Sequence, residues 1–104
     1  MNLNLTLKKK WFDMILSGEK KEEYREIKWY WKKRLVNWSR LVPYTVYKDY
    51  ETITFKNGYH KDAPTMVVEF KGINEGKAVP EWSDSWEDNV YVIKLGEIIS
   101  TKNV

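Results

Sequence analysis

A change of hydrophobic period within the first 27 residues constrains the fold more than any other feature of the chain. Residues 3–7, Leu3-Asn4-Leu5-Thr6-Leu7, alternate apolar and polar, the pattern of a strand with one buried face. From Lys8 the spacing changes. Trp11, Phe12, Ile15 and Leu16 fall at i, i+1, i+4 and i+5, along one side of a short helix. Ser17-Gly18 stops that helix, because glycine is suited to the left-handed position that ends helices. The next segment, Lys20 to Ile27, returns to strand alternation although most of it is charged. Glu23, Arg25 and Ile27 are expected on one face, with Glu22, Tyr24 and Glu26 on the other.

Downstream, Lys28 to Trp38 reads as a second helix with Trp31, Leu35 and Trp38 on its packed face, followed by an irregular connection through Pro43 to about Tyr50. Glu51 to Phe55 alternates as a strand, and Asn57-Gly58 is a turn signal. Thr65 to Ile73 is a longer apolar-rich strand. Gly76 to Asp88, with Pro80, Trp82 and Trp86, is a loop that either covers a cleft or packs on the sheet. Val90 to Ile99 closes the chain as a strand bent at Gly96. The expectation is one α+β domain over residues 1–104: a small, partly open β-barrel of five to six mostly antiparallel strands with two flanking helices.

Several chemistries are excluded by composition. With no cysteine, disulfides and Cys-based zinc sites are impossible, and so is the zinc deaminase signature. The one histidine, His60, beside the Asn57-Gly58-Tyr59 turn, reads as an exposed loop residue. No phosphate-binding or dinucleotide fingerprint occurs. No metal and no cofactor are expected. No apolar run approaches the roughly 20 residues that span a bilayer, and the N-terminus runs from apolar to basic, the reverse of a signal peptide. A cytoplasmic protein without a membrane partner is expected.

Charge is unevenly spread. Residues 1–40 hold 11 Lys and Arg against 5 Asp and Glu, whereas residues 41–104 hold 7 against 10. A basic face that meets an anion is one reading; a solubilising lysine surface is the other. The 16 aromatic residues, six of them Trp, exceed what a core this small can hide, so some are expected at the surface or in a cleft.

The segment Gly18-Glu19-Lys20-Lys21-Glu22-Glu23-Tyr24-Arg25 carries the chemistry. Glu23 and Arg25 project from one strand face at roughly 6–7 Å spacing, where an effective dielectric near 20 gives about 2–3 kcal/mol of attraction before desolvation. That is too little to justify burying the pair for stability alone, so the strand reads as a pocket wall. The alternative is an exposed edge strand that carries charge against aggregation.

The helix Lys10-Trp11-Phe12-Asp13-Met14-Ile15-Leu16, followed by Gly18-x-Lys20-x-x-Glu23-x-Arg25, resembles the signature of the ASCH domain within the PUA-like superfamily. Phe55-Lys56-Asn57-Gly58-Tyr59, Val68-Glu69-Phe70-Lys71-Gly72-Ile73 and Tyr91-Val92-Ile93-Lys94-Leu95 agree with it in order along nearly the whole chain. The resemblance implies a PUA-like β-barrel with flanking helices and a cleft lined by Lys20, Glu23 and Arg25. It also implies RNA or a nucleotide-like molecule as ligand. One branch of the family resembles N4-acylcytidine amidohydrolases, with a Lys two positions after the motif glycine and a catalytic Thr five positions after it. Lys20 matches the first, but Glu23 stands where the Thr belongs, which argues against that activity. If the chain is an enzyme on modified nucleosides or RNA, Lys20 and Glu23 are its acid–base pair.

Lys28-Trp29-Tyr30-Trp31-Lys32-Lys33-Arg34 interleaves rings with cations, as single-stranded nucleic-acid sites do. Trp29 and Tyr30 are the candidates for exposure, and Trp31 for the core. The expected ligand-binding set is therefore Lys20, Glu23, Tyr24, Arg25, Asn57, Tyr59, Trp29 and Tyr30. A third possibility is a small phage- or mobile-element-type accessory protein whose aromatics bind another protein.

Overall fold

The structure, a computed structural model, describes residues 1–38 and 42–104. Strand β1 (Asn2–Leu7) leads into helix α1 (Lys9–Leu16), strand β2 (Glu22–Glu26) and helix α2 (Trp29–Leu35). Strands β3 (Thr52–Asn57) and β4 (Thr65–Gly76), a single 3-10 turn (Pro80–Trp82) and strand β5 (Val90–Lys102) complete the chain. The five strands form one curled sheet in the order β1-β3-β4-β5-β2. Its β3–β4, β4–β5 and β5–β2 pairs are antiparallel, while β1 and β3 run parallel.

The local signals explain these elements. Trp11, Phe12 and Ile15 are the buried side of α1, as their spacing requires. Gly18 stands at φ +86°, and the amides of Gly18 and Lys20 donate back to the carbonyls of Ile15 and Met14. The chain thereby reverses directly from α1 into β2. The turn expected at Asn57-Gly58 is present, with Gly58 at φ +96°.

Leu3, Leu5, Leu7, Ile53, Phe55, Met66, Val68, Tyr91 and Ile93 line the concave face and close on Phe12, Ile15 and Leu35 from the helices. Each such side chain contributes about 1.5–3 kcal/mol of burial. The β4–β5 ladder slips register between Val67 and Gly72, where Leu95 pairs with Phe70 and Ile98 with Val68. Gly96 lies inside that slip. Irregularities of this kind bend a strand and raise its twist, and they curl this sheet toward a barrel.

The barrel does not close. Its two edges, β1 and β2, face each other without pairing, so the architecture is an open half-barrel with two helices. The reason lies in side chains that occupy the gap. Arg25 donates to the Thr6 carbonyl at 3.3 Å and Arg34 to the Asn4 carbonyl at 3.0 Å, so guanidinium groups take the place of a partner strand along β1.

Two expected placements are corrected. Ile27 lies beyond the end of β2, where the Lys28 amide turns back to the Glu26 carbonyl, and is exposed rather than on the Glu23 face. Helix α2 ends at Leu35, three residues short of the expected end, because Val36 is extended and bridges to Tyr47. Trp38 is therefore exposed instead of packed. No helix among the described residues is long and apolar enough to cross a membrane.

Candidate functional site

Strand β2 puts Glu23 and Arg25 against the interior because of its register. Glu23 lies opposite Ile93 and Arg25 opposite Tyr91, both core residues, so the carboxylate and the guanidinium share the concave face with the hydrophobic core. Tyr24, opposite Val92, points the other way and packs with Val90 and Val92 in a smaller apolar cluster that also takes Trp82 and Ala78.

Lys20, Glu23 and Arg25 converge. The Glu23 Oε1 lies 3.2 Å from the Lys20 Nζ, and its Oε2 accepts from Arg25 at 2.7 Å. The side chains of Lys20, Glu23 and Arg25 are 0%, 6% and 15% exposed. The Lys20 ammonium also donates to the Trp82 carbonyl at 2.8 Å and stands over the rings of Tyr24 and Trp11. Burial pulls the Lys20 ammonium below the usual lysine range; the Glu23 carboxylate opposes this by charge and hydrogen bond, and the Arg25 charge adds to it. Tyr24 donates to Glu22 at 2.7 Å and accepts from the Val79 amide at 3.1 Å; burial pushes its phenol well above the usual tyrosine value.

Two chambers open on this cluster. The first, about 370 Å³, lies between β2, the start of α1 and the segment 82–85; its rings are Trp11, Tyr24, Trp31 and Trp82. The second, about 490 Å³, runs along the β1 edge past Asn4 and Thr6 to Tyr30, Arg34 and Tyr59. Lys8, Trp11, Glu23, Arg25 and Trp31 line both, so the chambers form one groove along the β1–β2 gap. Lys8 ties the rim of the first chamber to Asp84 at 3.3 Å.

Of the expected site residues, Glu23, Tyr24 and Arg25 face the first chamber, and Glu23, Arg25, Tyr30 and Tyr59 the second. Tyr59 is 89% exposed at its mouth. Lys20 lines neither chamber. It sits behind the wall, where it fastens the carbonyl of Trp82 to β2. Asn57 ends β3 with its amide bonded to the Pro64 carbonyl, away from the groove. Trp29 lies outside both chambers and pairs instead with Trp38, centroids 5.7 Å apart. Trp86, weighed as part of a cover, is 98% exposed.

Among the lining residues outside the expected set, Trp11, Trp31, Lys8 and Arg34 bear most on the chemistry. Trp11 and Trp31 read as core because their spacing marks a packed face, yet each also forms a groove wall. Lys8 belongs to the basic N-terminal half, for which a solubilising lysine surface is one of the two readings. Arg34 carried a usable signal, since Tyr30, Trp31 and Arg34 fall at i, i+1 and i+4 on one helix. The Arg34 guanidinium carbon is 5.7 Å from the Tyr30 ring centre and 5.1 Å from that of Trp31. Arg25 approaches Trp31 at 4.9 Å, so one indole serves two guanidinium groups.

No group of His, Asp and Glu among the described residues is arranged to hold a metal ion. Comparisons of the chain with protein-family models, with curated proteins and with solved structures find no match.

Proposed function

We propose that the chain is an RNA- or nucleotide-binding module whose ligand lies in the groove along the open β1–β2 gap. The observation that carries this reading is the Glu23–Arg25 pair, 2.7 Å apart and buried in the wall of a cavity that the indoles of Trp11, Trp31 and Trp82 also line. A buried ion pair contributes little to stability once desolvation is counted, so its position beside a cavity favours recognition. A carboxylate accepts from an exocyclic amine, a guanidinium donates to base or phosphate oxygens, and the half-buried rings of Trp31 and Trp82 line the same space for stacking. The volume of the first chamber falls within the usual range for small-ligand sites. The half-barrel with two flanking helices, together with the residues quoted above, supports kinship with ASCH domains of the PUA-like superfamily as part of the same proposal.

The test is fluorescence anisotropy of labelled single-stranded RNA at about 50 and about 200 mM salt. Binding is expected to weaken with salt. Trp31→Ala is expected to lose roughly 5- to 150-fold in affinity, equivalent to one stacked base at about 1–3 kcal/mol. Binding that is absent, or indifferent to both salt and Trp31→Ala, refutes the reading.

A second reading, an enzyme on modified nucleosides, draws on the lowered Lys20 pKa and the 3.2 Å contact with Glu23. The binding module is favoured because the Lys20 ammonium is committed to the Trp82 carbonyl behind the wall. Turnover of acylated cytidines, lost in Glu23→Gln, would reverse that preference.

A further inference from the structure

The two chambers differ in charge. The charged residues of the first are Lys8, Arg25 and Lys28 against Glu23, Glu26 and Asp84, which cancel. Those of the second are Lys8, Arg25 and Arg34 against Glu23 alone, which leaves an excess of two positive charges. Arg25 is matched by Glu23, and Lys8 by Asp84. Arg34 has no carboxylate partner among the described residues. Its bonds go to the Asn4 carbonyl at 3.0 Å and to the Tyr30 hydroxyl at 3.5 Å.

A guanidinium carries five N–H donors, so three of those on Arg34 have no partner among the described residues. The group is nevertheless held in place. The β1 carbonyl fixes one edge and the rings of Trp31 and Tyr30 flank it, so little further side-chain freedom is lost when an anion arrives. Tyr30 and Tyr59 line the same chamber, and a phenol hydroxyl is a further donor. This is the donor set that suits a phosphate, for which guanidinium geometry allows two parallel bonds.

We infer that Arg34 forms an anion subsite in the second chamber, so that the groove selects phosphorylated nucleotides, free or within a strand, over the corresponding nucleosides. The inference rests on the binding function proposed above and names the part of the ligand that function leaves open. The base occupies the charge-balanced aromatic chamber, and the phosphate occupies the chamber where positive charge is in excess.

Isothermal titration calorimetry with the full chain separates the possibilities, using the four ribonucleosides and their 3′- and 5′-monophosphates. For the base bound best, one monophosphate is expected to bind about tenfold or more tighter than its nucleoside, the ratio for one charge-assisted contact. In Arg34→Met that ratio falls to about one, and Arg34→Lys retains part of it; the ratio, not the nucleoside affinity itself, is the readout. Equal binding of nucleoside and monophosphate by the unmodified chain, or an undiminished preference in Arg34→Met, overturns the subsite while the base chamber stands. If neither nucleosides nor monophosphates bind, and the RNA titration is also flat, subsite and binding function fall together.

Discussion

Glu23→Gln tests whether the buried charges are coupled as the geometry requires. The substitution keeps the shape of the side chain and removes its charge from between Lys20 at 3.2 Å and Arg25 at 2.7 Å. At an effective dielectric near 20 each contact is a gross attraction of about 5–6 kcal/mol, and losing one partner of a buried pair costs about 3–5 kcal/mol net. Lys20 sets a ceiling on its own share of this cost. Instead of staying charged and unmatched it can release its proton, which at pH 7 costs about 5 kcal/mol relative to the ordinary lysine value of 10.5. The Lys20 value in the folded chain already lies below the unfolded one. Between the two values the unfolded chain binds more protons, so this group makes stability rise with pH. Removing Glu23 removes the larger part of what opposes the lowering, leaving only the Glu22 charge, and widens that window. The variant is therefore expected to lose about 3–5 kcal/mol at pH 7 and to regain up to about 3 kcal/mol of the deficit by pH 9. Adding Lys20→Met should also restore part of it at pH 7, because the unmatched ammonium is then gone. Urea unfolding followed by tryptophan fluorescence measures all of these. A deficit below about 1 kcal/mol at pH 7, or one unchanged between the two pH values, would refute the coupling.

Gly18→Ala is expected to cost about 1–2 kcal/mol by urea unfolding, since φ is +86° and the nearest neighbour of the new Cβ would be the tip of Lys21 at 3.8 Å. The cost is conformational, and a change below about 0.5 kcal/mol would count against it. Above pH 10 stability is expected to fall. Burial raises the phenols of Tyr24, Tyr50 and Tyr91, and that of Tyr47 to about 12, so their protonated forms stabilise the fold below pH 10 and that contribution is lost as pH rises through the folded values. The opposite effect of Lys20 is complete near 10.5 and cannot mask the decline. Unfolding free energies that stay level from pH 10 to about 12, while tyrosinate absorbance grows, would contradict this.

What was legible in the sequence follows from which interactions are local. Alternation in β1, the Trp11-Phe12-Ile15 face and the Gly18 reversal depend on neighbours within a turn or two, and each appears where its pattern lies. The same-face relation of Glu23 and Arg25 is likewise a property of one strand, although nothing local says whether that face meets core or water. Opposition to Ile93 and Tyr91 decides it, and that pairing joins residues far apart in the chain. A partly open, mostly antiparallel barrel is the expectation, but which strands pair and where the opening falls depend on non-local choices. The parallel β1–β3 pairing and the position of the gap between β1 and β2 have no local signature. Lys20 was legible as part of a cluster but not as facing the Trp82 carbonyl, because the 76–88 segment carries no periodicity that fixes its path.

The unclosed edge and the proposed site have the same physical origin. A half-barrel leaves the outward carbonyls of β1 without a strand to satisfy them, and such an edge invites pairing with another chain. Here Arg25 and Arg34 satisfy two of those carbonyls, and each guanidinium also reaches the face of Trp31. Closing the gap with a sixth strand would satisfy β1 more fully, yet it would fill the space in which the groove now runs. Arginine satisfies the edge through its tip and leaves room around its stem, so the bonds that protect the fold also keep a row of cations and rings open along it. Replacing either arginine should therefore perturb ligand affinity and the tendency of β1 to self-associate together, a coupling that a fully paired barrel would not show.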